Sequence, residues 1–166
     1  MIWTKQEIAH MAIDAAEKAG VPPALVCAIV EVSSQWNPSL RDWEPSRWLL
    51  GQHPLDFRGG EEEYLALGTR WGLMQLTGEQ LRMYEWKGKF SAELGEPQGN
   101  LEAGCYILKK IIDSGSKNVL THYFGLERRR MADLAVKLIP TFEAFVAARP
   151  PVSGIKLLQT LPTLQT

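Results

Sequence analysis

The stretch PPALVCAIVEVSSQWNP, residues 22–38, predicts a buried helix. Its two prolines stand at the first turn of a helix, where a missing N–H costs nothing. An apolar stripe then recurs at helical spacing, at Leu25, Ala28, Ile29 and Val32. Asn37-Pro38 is predicted to stop this helix. A helix with so little polar surface needs other helices around it, and the neighbouring sequence supplies them.

Helical patterns continue on both sides of this stretch. Thr4 and Glu7 form a capping box for a first helix, which Gly20 ends. Downstream, further helices are predicted after a second capping box at Thr77 and Gln80, from Asn100 to Gly115, over 119–124 and over 131–138, with a last apolar turn after Pro140.

Residues 39–70 are different, because tryptophans, prolines and a Gly-Gly pair interrupt any long pattern. We expect a loop here with one or two short helical turns, the second near residues 62–67. A connection of this length in a compact domain is often functional. No long run alternates with period two, so the predicted fold class is all-α, with at most a small β element in this section.

The composition predicts one soluble globular domain. The chain has 166 residues, of which 45% are hydrophobic and 22% charged. We expect residues 1–148 to form the domain and residues 149–166, which include two prolines and many small polar residues, to be a flexible tail. The formal charge of −1 supplies no bulk attraction to nucleic acid or to an anionic membrane.

The N-terminal region carries charges that interrupt any apolar run, so no signal peptide is expected. No stretch is apolar enough for membrane insertion. These features predict synthesis in the cytoplasm.

Cys27 and Cys105 both lie in apolar helical patterns, where buried free thiols are favoured over a disulfide. The three histidines are far apart in sequence, so no metal site is expected. Residues 128–130 are three consecutive arginines, for which a solvated helix face is favoured over a phosphate site.

Three motifs occur in a recognisable order: SQWNP at 34–38, WGLMQL at 71–76 and NLEAG at 100–104. They resemble, respectively, the end of the Glu-Ser-x-aromatic-Asn-Pro motif, the Gly-Leu-Met-Gln segment and the Asn-x-x-x-Gly helix start of soluble lytic transglycosylases. The tract RDWEP at 41–45 further resembles one in phage-type members. The resemblance covers about residues 5–137.

This resemblance implies a lysozyme-like, mostly helical domain with a groove for glycan strands. Members of the family cleave peptidoglycan after N-acetylmuramic acid without adding water. One glutamic acid protonates the glycosidic oxygen, and its carboxylate then helps the hydroxymethyl group of the sugar to close an anhydro ring. The resemblance implies no cofactor.

The resemblance also assigns candidate site residues. Ser34 matches a serine that supports the site by hydrogen bonding. Met74 and Gln75 correspond to residues that line the groove, and Gln75 suits an N-acetyl group. Tyr123 stands in Tyr-Phe-Gly, where the family often has Tyr-Asn-Gly, and its phenol could orient the sugar. Core packing is an equal alternative for Met74 and for Tyr123.

Alignment on Trp36-Asn37-Pro38 places Ser33 at the position of the catalytic glutamic acid. Ser33 lies on the same helical line as Ile29, so a carboxyl group here would end an apolar stripe, where burial keeps it protonated. A hydroxyl group cannot act as an acid near neutral pH. Glu31 is about 200° away on the helix and is expected to be a solvated charge. Glu44 is a weaker candidate to replace the missing acid.

The sequence therefore leaves three functional hypotheses. The first is a lytic transglycosylase with little or no activity as written, acting at the cell wall if a phage or secretion route delivers it. The second is a pseudoenzyme that binds peptidoglycan glycan strands without cleaving them. The third is a structural component of a phage particle or secretion apparatus, with a protein partner.

Overall fold

The structure is a computed structural model that describes residues 2–88 and 94–149. In chain order its helices are α1 (Lys5–Ala19), α2 (Pro23–Ser34), α3 (Arg47–Leu50), α4 (Gly60–Gly68), α5 (Gly78–Met83), α6 (Pro97–Asp113), α7 (Val119–Phe124) and α8 (Arg129–Ala147). Two strands, β1 (Arg41–Trp43) and β2 (Thr69–Trp71), form a small antiparallel sheet. Short 3₁₀ turns occupy Pro54–Asp56 and Leu126–Arg128. The predicted all-α class with a small β element is confirmed.

The core is organised around α2. This helix packs against α1 and α8, and α1 packs in turn against α6. Residues 26–30 of α2 are all completely buried, which matches a helix covered on more than one side. Cys27 and Cys105 are buried free thiols, as predicted.

The predicted ends of the first two helices agree in part with the structure. Thr4 and Glu7 form the expected capping box, and Gly20 ends α1 in the left-handed conformation. However, α2 stops at Ser34, before Asn37-Pro38, because Gln35 and Trp36 already have φ angles of 51° and 67°. This early stop turns the Trp36 side chain back toward the helix.

Glu31 is not the freely solvated charge that was expected. It is half-buried, and its carboxylate accepts a hydrogen bond from the Trp36 indole N–H. The Trp36 ring also packs on Phe142 of α8, with 5.9 Å between the ring centroids. Glu31 therefore helps to hold the end of α2 against α8.

Residues 39–70 are more regular than predicted. Besides α3 and α4, the section contains β1, which pairs with β2 so that Asp42 lies opposite Arg70. The pairing of β1 with β2 holds the two ends of this section together. Their pairing brings residues 26 or more positions apart into contact near the start and end of the section.

The structure corrects two predicted helix boundaries. The C-terminal helix continues through Pro140 as one element, α8, although Pro140 lacks one backbone donor. Burial of its apolar face, including Phe142, outweighs that loss. The α6 helix begins at Pro97, so Asn100 lies inside it instead of preceding it.

The predicted tail lies outside the described residues except for Arg149. That residue donates a hydrogen bond to Asp14 over 2.6 Å and so ties the end of α8 to α1. No helix in the described part of the chain is long and apolar enough to cross a membrane.

Residues 72–76 form a turn directly after β2, which we call the 72–76 turn. Helix α6 approaches this turn closely at Gly104. A Cβ atom at Gly104 would overlap the Met74 thioether and would lie 3.1 Å from the Met74 Cβ. Gly104 therefore allows the turn to rest directly on the helix backbone.

We predict that Gly104→Ala destabilises the domain by about 1–3 kcal/mol, because the added methyl group forces Met74 and the turn away from α6. Urea-induced unfolding measures this change. Gly51→Ala is the matched control, since its nearest neighbour is the Trp48 carbonyl at 3.4 Å. Equal stability of the Gly104→Ala variant and the original protein would contradict the close packing.

Candidate functional site

Asn100 holds the 72–76 turn in place through its side-chain amide. Its Oδ1 accepts a hydrogen bond from the Met74 N–H at 2.9 Å. Its Nδ2 donates to the Trp71 carbonyl at 2.8 Å and to the Leu94 carbonyl at 3.2 Å. One buried side chain therefore satisfies the Met74 N–H and the Leu94 carbonyl, and it shares the Trp71 carbonyl with the Leu76 N–H.

Gly72 makes this arrangement possible. Its φ angle is +66°, and a Cβ atom there would lie 2.6 Å from the Asn100 Nδ2. Only glycine combines that backbone conformation with so close an approach.

Gln75 fastens the same turn to the segment before β1. Its side-chain amide nitrogen donates to the Gly72 carbonyl at 2.9 Å and to the Leu40 carbonyl at 3.3 Å. The Leu40 carbonyl also accepts the Gly72 N–H at 2.9 Å. Gln75 is 3% exposed, and its φ angle is 51°. These contacts show that Gln75 has a structural role in holding the turn. Its predicted contact with the substrate stays a prediction.

Met74 and Tyr123 both lie in the interior. Met74 is 1% exposed and packs on Gly104, and its carbonyl accepts a hydrogen bond from the Tyr123 hydroxyl at 2.9 Å. Burial raises the pKa of the Tyr123 phenol well above its usual range. The phenol is therefore neutral and bonded to the turn from the side of α7. Its proposed sugar contact stays a prediction.

Ser33 and Ser34 end α2 with different environments. The Ser34 hydroxyl donates to the Val30 carbonyl at 3.1 Å, within the helix. The Ser33 Oγ is buried and has no hydrogen-bond partner among residues 2–88 and 94–149. A buried hydroxyl without a partner costs about 1–3 kcal/mol, so Ser33 is an uncompensated polar group at the candidate acid position.

Glu44 belongs to a cluster of charges that joins three distant parts of the chain. The Arg70 Nε donates a hydrogen bond to the Glu44 Oε2, and the Arg128 Nε lies 3.7 Å from the same oxygen. The two arginine side chains are only 14% and 15% exposed, whereas that of Glu44 is 42% exposed. Arg70 also donates to the Gln75 carbonyl at 3.4 Å, which links the cluster to the turn.

Arg128 differs from the solvated helix face that was expected. Burial lowers the pKa of its guanidinium group, and the positive charge of Arg70 lowers it further, while Glu44 acts in the opposite direction. The Asp42 carboxylate acts in the same direction as Glu44. Neither Arg70 nor Arg128 was predicted to be a site residue. Arg70 is a single arginine without a recognisable motif, and Arg128 is distinguished in the sequence only as the first of three consecutive arginines.

The described residues thus bring together Glu44, Gln75 and Tyr123 through Arg70, Arg128 and the 72–76 turn. The Ser33 hydroxyl remains outside this hydrogen-bonded set. Within the described part of the chain, no group of three or more His, Cys, Asp or Glu side chains could hold a metal ion.

A mostly helical domain with a small two-stranded sheet and a buried Gly-Leu-Met-Gln turn is the architecture of lysozyme-like transglycosylase domains. The family model described as "Transglycosylase SLT domain" matches residues 10–125, well over half of the chain. This chain therefore belongs to the SLT transglycosylase family, whose chemistry is lytic cleavage of peptidoglycan. No curated protein and no solved structure matched the chain.

We predict that Asn100→Ala lowers the free energy of unfolding by about 2–4 kcal/mol, because it leaves the buried Met74 N–H and the Leu94 carbonyl without this partner and removes one of the two donors to the Trp71 carbonyl. Urea-induced unfolding measures this loss. Gln98→Ala is the control on the same helix, since the Gln98 amide is exposed and, among the described residues, donates only to Glu102. If both variants are equally stable, Asn100 does not hold the turn.

Proposed function

We propose that this chain binds peptidoglycan glycan strands with the site of a lytic transglycosylase and cleaves them little or not at all. The observation that carries the proposal is Ser33. It occupies the position of the family's acid, three residues before Trp36-Asn37-Pro38, and its buried hydroxyl has no partner among the described residues.

The proposal follows from the chemistry of the cleavage. The glycosidic oxygen must receive a proton from the enzyme as its bond to the muramyl residue breaks. The enzyme group that donated this proton must then act as a base. A buried carboxyl group does both, because burial keeps it protonated at neutral pH for the first step and the carboxylate left after proton transfer accepts the proton of the hydroxymethyl group in the second. A serine hydroxyl does neither. Loss of a general acid typically lowers the rate by about 10²–10⁴-fold.

Glu44 is the carboxyl group that was considered as a replacement for the missing acid. Its contacts favour a different role, because the same oxygen bonds to Arg70 and faces Arg128. An ion pair uses the charged carboxylate, whereas a general acid must carry a proton. Glu44 therefore acts, in this proposal, as the ion-pair partner that positions the two arginines.

The first test is to incubate the protein with purified peptidoglycan and to search the products for anhydro-muramyl fragments by mass spectrometry. We expect none above the level of a protein-free control. Abundant fragments would overturn the proposed inactivity. Their loss in the Glu44→Gln variant would then identify Glu44 as the acid.

We further predict that Ser33→Glu raises the rate of anhydro-muramyl product formation by at least about 100-fold, because it supplies the missing proton donor. Ser33→Gln is the matched control, with the same size and no acidic proton. Circular dichroism of both variants verifies folding. A folded Ser33→Glu variant without product would show that the acid position is assigned wrongly.

The third hypothesis from the sequence, a structural component of a phage particle or secretion apparatus, requires no glycan contact. The phage-type tract at 41–45 is the feature that favours it. Co-sedimentation with insoluble peptidoglycan separates the two roles, since a purely structural component stays in the supernatant. Binding supports action at the cell wall.

A further inference from the structure

Arg128 has more hydrogen-bonding capacity than the described protein uses. Its guanidinium group carries five N–H donors. Among residues 2–88 and 94–149 its side chain makes no hydrogen bond, and its one ion-pair contact is the 3.7 Å approach of Nε to Glu44. Yet only 15% of the side chain is exposed.

The carboxylate that Arg128 faces is already engaged. The Glu44 Oε2 accepts the hydrogen bond from Arg70, so one oxygen serves two guanidinium groups. Asp42 adds negative charge to the surroundings of Arg128, but it is the weakest of the influences on that residue. The contacts therefore leave N–H donors of Arg128 free beside the candidate site.

A half-buried guanidinium group with free donors favours an anionic partner. Its planar fork matches the two oxygens of a carboxylate, and such bidentate pairs are among the strongest hydrogen bonds in proteins. Arg128 also stands beside the candidate site, since its ion-pair partner Glu44 accepts a hydrogen bond from Arg70, which in turn donates to the Gln75 carbonyl of the 72–76 turn.

We propose that Arg128 binds a carboxylate carried by the muramyl residue of a glycan strand and thereby distinguishes muramyl from glucosaminyl units. This inference rests on the proposed function, because it takes the glycan strand as the ligand. Muramic acid differs from glucosamine by a lactyl ether that ends in a carboxyl group. In strands that bear peptides, that carboxyl group is amidated and the peptide supplies carboxylates of its own.

The test measures binding of four oligosaccharides of equal length by isothermal titration calorimetry. They are a peptide-free glycan oligomer with free lactyl carboxylates, the same oligomer as its methyl ester, a peptide-bearing oligomer and a neutral N-acetylglucosamine oligomer. We expect the original protein to bind the carboxylate oligomers about 10-fold more tightly than the ester and the neutral oligomer.

The variants assign that preference to one residue. Arg128→Gln is expected to bind all four oligomers with the affinity of the neutral one. Arg130→Gln, which removes an exposed arginine two positions away, is expected to keep the full preference. Arg128→Lys retains the charge and is expected to retain part of the preference, and thermal unfolding verifies that each variant is folded.

A purely structural Arg128 would give a different result, because its loss would weaken all four ligands equally. That result, or equal binding of free and esterified oligomers by the original protein, overturns the inference and leaves the proposed function standing. If the original protein binds none of the oligomers, both are overturned. A preference confined to the peptide-free or to the peptide-bearing oligomer supports the inference and identifies the source of the carboxylate.

Discussion

The buried amide of Asn100 is the constraint on which the candidate site depends. It pairs with the backbone of residues 71, 74 and 94 and so holds the end of β2, the 72–76 turn and the segment before α6 together. A turn with these backbone groups unpaired would be too costly to bury. Once it is held, its carbonyls are available to Tyr123 and Arg70, so the same amide indirectly places the aromatic and the charged parts of the site.

The two polar centres at the site contrast in how well they are satisfied. The three side chains that hold the 72–76 turn, those of Asn100, Gln75 and Tyr123, all have hydrogen-bond partners. At the end of α2, the Ser33 hydroxyl has none within the described residues. The 72–76 turn is thus fully hydrogen-bonded, whereas the hydroxyl at position 33 is not. In the proposed function, this contrast corresponds to a site that binds a glycan strand without an acid to cleave it.

Local chemistry explains which features the sequence predicted well. Both capping boxes, the glycine that ends α1 and the apolar character of α2 depend on neighbours within a few residues, and all of them are found in the structure. The two wrong helix boundaries concern residues whose contacts lie far away in the sequence. Pro140 does not interrupt α8, in which Phe142 packs on the distant Trp36. Asn100 lies inside α6, and its side chain bonds to a turn 26 residues earlier instead of capping the helix.

The sequence by itself determined the helical class, the motif order that marks the family and the absence of a carboxyl group at position 33, since each is written in residue identity and short spacing. Only the tertiary structure decided that Arg70 and Arg128 converge on Glu44, and that the Tyr123 phenol bonds to the Met74 carbonyl. Those contacts join segments 26 to 84 positions apart. Their formation depends on how α2, α6 and the small sheet pack, which no local pattern records.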